Sequence, residues 1–240
     1  MISKESDWGK YYENNEIIPF GAHRLIYTAA LDRLSLANPD LLAIKKPKNF
    51  LLGGFHPQNG SLKDFIDLCL ELHSNPDDLY LAMDMNTEPL KQIAKNPGTL
   101  GIRARLESLP LASASVDVAF LDGTLDLINP KQAQLFFSRC QEILRPEGLV
   151  LATISDPLSP FLYNAYYTFE TGARYQARSL KETLSLVSSS LKPVLVAEAE
   201  SSVPSSASHT LIVFSKLGSL YPKDFNSYVL SQEVKRKKDL

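Results

Sequence analysis

Several things are scarce in this chain, and each shortage closes off a class of protein. Only two cysteines occur among 240 residues, Cys69 and Cys140. They are far apart, with no CxxC or Cys/His grouping, which excludes a disulfide framework and any zinc site readable from spacing. No apolar run approaches the roughly 18–20 residues needed to cross a bilayer. The start, MISKESDWGK, is polar where a signal peptide needs an apolar stretch, so a soluble, cytoplasmic protein is expected. Charge of one sign is also missing: 25 Lys and Arg stand against 27 Asp and Glu, a net charge of −2. Without a positive field, neither nucleic acid nor an anionic membrane is an expected partner. The four consecutive cations Lys235, Arg236, Lys237 and Lys238 read as a solvated tail. There is no internal repeat and no convincing linker.

What is present is ordinary globular material, 44% hydrophobic and 22% charged, enough to bury a core. A helical pattern over Phe20 to Leu36 leads the chain. Phe50-Leu51-Leu52 then forms a short apolar run stopped by Gly53-Gly54, the mark of a buried strand ending in a turn. From Ser61 a capped amphipathic helix follows, then a strand, LYLAMD, closing on Asp84, and a short helix from Thr87. Further units come in the same rhythm: TLGIRARLES, the strand VDVAFLDG, a helix opening at Pro130, and the strand LVLATISDP. A helix over Ser179 to Leu191 and two late strands, PVLVAEAE and HTLIVFSK, complete the pattern. The alternation predicts an α/β fold, a doubly wound, mostly parallel seven-stranded sheet with helices on both faces and a C-terminal antiparallel hairpin. One domain spans 1–240, with N-terminal cap helices over 1–47, a Rossmann-like core over 48–218 and a tail over 219–240.

In such sheets ligands lie beyond the carboxyl ends of the strands. A Gly-rich first loop admits the backbone, and an acid closing the second strand holds a ribose. Gly53 and Gly54 are candidates for the first part. Asp84 is the candidate for the second, 30 positions after Gly54 and 24 after Gly60, against about 20 in dinucleotide folds.

The segments ARLESLPLASASVDVAFLDG and QEILRPEGLVLATI add a further signal. Leu109-Pro110-Leu111, then Ser115-Val116-Asp117, then Leu144-Arg145-Pro146-Glu147-Gly148 occur in an order that resembles the class I S-adenosylmethionine-dependent methyltransferases, type 11 in particular. AMDMN resembles that family's second-strand end, and the likeness spans about residues 48 to 154. The resemblance implies S-adenosylmethionine as cofactor and methyl transfer to a small-molecule acceptor by in-line displacement. It also implies roles. Gly53, Gly54 and Phe55 would lie against the methionine part of the cofactor, Asp84 would accept the ribose hydroxyls, and Met85 would pack on adenine. Leu106 and Glu107 would border the adenine edge. Leu121 and Asp122 would face the amine and the methyl group. Asp122, His56 and His23 are the candidate bases, Asp122 first for its proximity to the methyl.

The chain departs from the family pattern in three main places, with a milder change where Glu147-Gly148 stands in the family's Pro-Gly-Gly turn. Leu52 stands where an acid precedes the glycines, Phe55 where a small residue is usual, and Arg105 where an acid meets adenine. These leave open an alternative, a catalytically degenerate member acting as a binding or regulatory subunit. A nicotinamide-dependent reductase of the short-chain class is disfavoured, because none of Tyr163, Tyr166, Tyr167 and Tyr175 is followed four places on by Lys. Aromatics crowd two segments: Trp8, Tyr11, Tyr12 and Phe20, and then Phe161, Tyr163, Tyr166, Tyr167, Phe169 and Tyr175. They suit a cover over a flat or apolar acceptor, or equally a core seal or the face of a homodimer or protein partner.

Overall fold

In the computed structural model the described residues are 23–43, 46–55, 61–91, 93, 98–155, 166–168, 174–187, 191–199 and 209–216. Among the described residues nine strands run in chain order: β1 Asn49–Gly53, β2 Leu79–Asp84, β3 Thr99–Arg103, β4 Val116–Leu121, β5 Leu144–Ser155, β6 Tyr166–Thr168, β7 Arg174–Gln176, β8 Lys192–Ala199 and β9 His209–Ser215. The α-helices are α1 Arg24–Ala37, α2 Ser61–Leu72, α3 Thr87–Leu90, α4 Pro130–Ile143 and α5 Leu180–Leu186. Seven strands form one sheet in the order β3-β2-β1-β4-β5-β9-β8, while β6 and β7 pair separately. β1 to β5 are parallel, and β9 runs antiparallel to both β5 and β8.

The strands read as near-continuous apolar runs because both faces of the sheet are covered. Alternation sends Phe50, Leu52, Tyr80, Ala82, Val118 and Phe120 to one face. There they meet Tyr27, Leu31 and Leu34 of α1 and Phe65, Leu68 and Cys69 of α2. Leu51, Leu81, Met83, Ala119, Leu121 and Val150 go to the other, against Phe136, Phe137, Cys140 and Ile143 of α4. α4 starts at a reciprocal capping box between Asn129 and Gln132, with Pro130 in the first turn where its missing N–H costs nothing. Ser179 and Glu182 cap α5 in the same way.

β1 is flanked by β2 on one side and β4 on the other, so the chain reverses its direction of winding between β1 and β4. The C-terminal ends of these strands open there into the crevice where ligands of such sheets bind.

Several expected boundaries shift. The leading helix, expected from Phe20 to Leu36, is observed as Arg24–Ala37, its first expected residues lying outside the described ones. α3 is observed over Thr87–Leu90, and Leu90 and Ile93 pack onto the core; residues 92 and 94–97 of that expected helix lie outside the described ones. β5 starts at Leu144 and runs through the Pro146–Gly148 turn, with a register shift between Val116 and Val118. α5 stops at Leu186 rather than Leu191. The β6–β7 pair was not expected from its aromatic sequence. No helix among the described residues is long and apolar enough to cross a membrane.

Candidate active site

The end of β1 is built for close approach of main chain. Gly54 has φ +73°, a conformation that costs a residue with a Cβ about 1–2 kcal/mol. Its N–H donates to Met83 O at 2.8 Å. A Cβ there would stand 2.9 Å from the Thr124 side chain, and one on Gly53 would stand 2.8 Å from Leu121 and 3.1 Å from Leu106. Thr124 Oγ1 donates to Gly53 O at 2.7 Å, pinning the loop after β4 to the end of β1.

Asp84 closes β2 beside this turn. The Phe55 N–H donates to its Oδ2 at 3.3 Å and the Asn86 N–H to its Oδ1 at 2.7 Å. Burial pushes the carboxyl up to about 6, although those N–H groups favour the ionised form. At neutral pH it is an anion. The Met85 N–H and the Asn86 side chain also donate to this carboxylate, an acceptor-only group of the kind that binds a vicinal diol. Met85 next to it is half-buried, with its carbonyl accepting from Arg103 Nε at 3.4 Å. Leu106 is buried, and Glu107 beside it accepts from Gln132 Nε2 at 3.2 Å and lies 3.8 Å from Arg105.

A second cluster lies at the C-terminal ends of β4 and β5. Three donors converge on Asp122 Oδ1: His23 Nδ1 at 2.8 Å, Tyr27 Oη at 2.7 Å and Thr153 Oγ1 at 2.7 Å. Thr153 Oγ1 in turn accepts from the Gly123 N–H at 2.9 Å. Burial works against the Asp122 anion, but the charge of His23 and the converging donors outweigh it, and the carboxyl lies below the usual carboxylate range. Burial also disfavours the charged imidazole of His23, yet Asp122 outweighs it, and the ring sits above its ordinary value. Tyr27 is pushed well up, first by burial, and remains a phenol that donates. The His23 side chain starts α1 without capping it. Its Nε2 is buried with no hydrogen-bond partner among the described residues, an arrangement that ordinarily costs about 1–3 kcal/mol. The His209 ring stands edge-on to it, centroids 4.6 Å apart.

Residues 68–152 match the family model described as a methyltransferase domain. No curated protein matches in sequence. Among solved structures, 1,6-didemethyltoxoflavin-N1-methyltransferase of Burkholderia thailandensis, with 1,6-didemethyltoxoflavin and S-adenosylhomocysteine bound, is similar at TM-score 0.64. It shares 16% identity, over 88% of this chain and 86% of that one. The N-methyltransferase NodS of Bradyrhizobium japonicum, with S-adenosylhomocysteine, is similar at TM-score 0.58 and 12% identity, over 89% and 98%. Geranyl diphosphate C-methyltransferase of Streptomyces coelicolor is similar at TM-score 0.55 and 11% identity, over 90% and 100%. The fold is that of the class I methyltransferases.

Within this methyltransferase fold, Gly53, Gly54, Phe55 and Asp84 meet as neighbours at the ends of β1 and β2, with Leu106 and Leu121 packed on Gly53. His23 and Asp122, 99 positions apart, are in direct contact. His56 lies outside the described residues, as do Trp8, Tyr11, Tyr12, Phe20, Phe161, Tyr163 and Phe169. Tyr27, Thr124, Thr153 and His209 belong to the site but carry no motif in the sequence. Only the four-residue step from His23 to Tyr27, which sets both on one face of a helix, hinted at the pairing.

Proposed function

We propose that this chain is an S-adenosylmethionine-dependent methyltransferase acting on a small molecule. The observation that carries the reading is the meeting of the buried Asp84 carboxylate with the Gly53-Gly54 main chain at the point where the sheet reverses its winding. The donor set fits the cofactor. Asp84 would take the two ribose hydroxyls, Gly53, Gly54 and Phe55 would lie along the methionine part, and Met85, Leu106 and Glu107 would surround adenine. Leu121 and Asp122 would sit toward the sulfonium end. When bound, the cofactor supplies an activated methyl group, so the chain's own work is alignment, exclusion of water and proton handling. His23, His56 and Asp122 are the candidate groups for the last of these. The solved structures named above are described as methyltransferases for 1,6-didemethyltoxoflavin and for geranyl diphosphate, which supports a small-molecule acceptor. Two buried free thiols, Cys69 and Cys140, fit a reducing compartment such as the cytoplasm.

Calorimetry with S-adenosylmethionine and S-adenosylhomocysteine tests the reading. Binding in the micromolar range that Asp84→Ala abolishes is the expected result, and no heat from either ligand overturns it. A second reading, a binding or regulatory subunit on the same fold, draws support from Leu52, an apolar buried residue in the place of an acid, and from the methyl groups of Leu106 and Leu121 crowding Gly53. Co-purification with a catalytic partner, and no cofactor binding by the chain alone, would favour it.

A further inference from the structure

Asp122 is an anion and can only accept, so the His23 nitrogen 2.8 Å from it must be the one that carries a proton. In the neutral ring this leaves the lone pair on Nε2. Among the side chains of His23, Tyr27, Asp122 and Thr153, that nitrogen is the buried polar atom left with no partner. The groups around it are engaged with one another. Tyr27 Oη and Thr153 Oγ1 both donate to Asp122, and the Gly123 N–H holds Thr153. An Asp–His couple whose inner nitrogen is held by the carboxylate, and whose outer nitrogen is buried with its lone pair unpaired among the described residues, has the arrangement of a general base.

We propose that His23 Nε2 is the proton acceptor of the reaction, that Asp122, Tyr27 and Thr153 are positioning residues for it, and that the acceptor substrate is a neutral X–H acid: a phenol, enol or ring N–H. The proposal rests on the methyltransferase reading. In the step, the X–H proton passes to His23 Nε2 as the electron pair on X forms a bond to the methyl carbon. The pair of the breaking carbon–sulfur bond stays on sulfur as a neutral thioether. The imidazolium so formed is neutralised by the Asp122 carboxylate until its proton leaves to solvent. An acceptor that arrives already as an anion, or as a nucleophile without a proton, would gain nothing from this couple.

Among the described residues, the titratable groups facing His23 are Asp122 at the end of β4, Tyr27 one turn along α1 and His209 at the start of β9. Asp122 and Tyr27 act together, Tyr27 by holding the carboxylate in place. Nitrogen-15 NMR of the imidazole rings of the full chain across pH reads the arrangement without any turnover. The expected result is a His23 titration above the ordinary midpoint of about 6.5. Above that midpoint the proton should sit on Nδ1, and Asp122→Asn should lower the midpoint by about one pH unit or more. Tyr27→Phe should change the midpoint less and leave the proton on Nδ1. A proton on Nε2, or a midpoint unmoved by Asp122→Asn, overturns the proposal even if S-adenosylhomocysteine binds. Absence of binding overturns the methyltransferase reading itself.

The substrate class is tested with labelled S-adenosylmethionine and a panel of phenols, enols, N–H heterocycles, amines and thiols. Transfer to the first three kinds, reduced about 100-fold or more by His23→Gln with S-adenosylhomocysteine affinity retained, is expected. Preferred transfer to amines or thiols, no transfer to any member, or a His23→Gln rate equal to wild type overturns it.

Discussion

Asp84 gives a prediction in which stability and binding move in opposite directions. Burial raises its carboxyl from 3.8 to about 6. Holding the ionised form in the folded protein therefore costs about 3 kcal/mol above pH 6. A carboxyl raised in this way leaves the fold most stable below pH 3.8. The penalty grows as pH rises from there and is complete once pH passes about 6. Asp84→Asn removes the charge and keeps one acceptor oxygen, but it loses a backbone hydrogen bond from Phe55 or Asn86 worth about 1 kcal/mol. The net at pH 7.5 is a gain of about 1–2 kcal/mol, or about 2–8 °C in melting temperature. Affinity for S-adenosylhomocysteine should go the other way. Loss of charge-assisted bonds to the ribose diol, about 1.5–3 kcal/mol, weakens binding about 10- to 150-fold. In the wild type the same affinity should be flat above pH 6 and fall about tenfold per pH unit below it. Thermal denaturation and calorimetry at pH 7.5 and 5, on both proteins, read all four quantities. Destabilisation by Asp84→Asn at pH 7.5 together with a wild-type affinity that does not fall at pH 5 would refute the reasoning, because neither is compatible with a strained carboxylate that holds the ligand.

Gly54→Ala should destabilise by about 2–3 kcal/mol, from the left-handed backbone and the contact 2.9 Å from Thr124; thermal denaturation measures it. Thr124→Val leaves the buried Gly53 carbonyl without its donor and should cost about 1–3 kcal/mol in chemical denaturation. Thr124→Ser should recover most of that. At the opposite end of the sheet, Asp78 meets the buried His73 Nδ1 at 2.6 Å and the Lys48 N–H at 2.8 Å. Asp78→Ala should therefore cost about 3–5 kcal/mol in urea unfolding and leave S-adenosylhomocysteine affinity unchanged in the protein that remains folded.

The parts of the fold that could be read from sequence are those where burial writes a pattern into neighbouring residues. Phe50-Leu51-Leu52 and VDVAFL are apolar throughout because helices cover both faces of their strands, and such runs need no partner to be recognised. The helix expected from Ser179 does start there, at a capping box between Ser179 and Glu182. Gly53-Gly54 and Asp84 could be proposed as neighbours because a doubly wound sheet brings the ends of its first two strands together whatever lies between them. The contact between His23 and Asp122 had no such support, since only the packing of α1 across the sheet brings them together. Thr153 is a plain strand residue until the hydroxyl is seen between Asp122 and the Gly123 N–H. The β6–β7 ribbon was equally hidden, its aromatic residues having read as a cover and not as strands.

α1 both covers one face of the sheet, through Tyr27, Leu31 and Leu34, and delivers the imidazole to Asp122. The proposed acid–base couple therefore exists only while α1 is docked on the sheet. On the proposed function, undocking this helix would remove the imidazole from Asp122 while leaving the Gly53–Asp84 crevice in place, so that exchanging the helix between relatives is expected to alter proton handling and not the cofactor's berth.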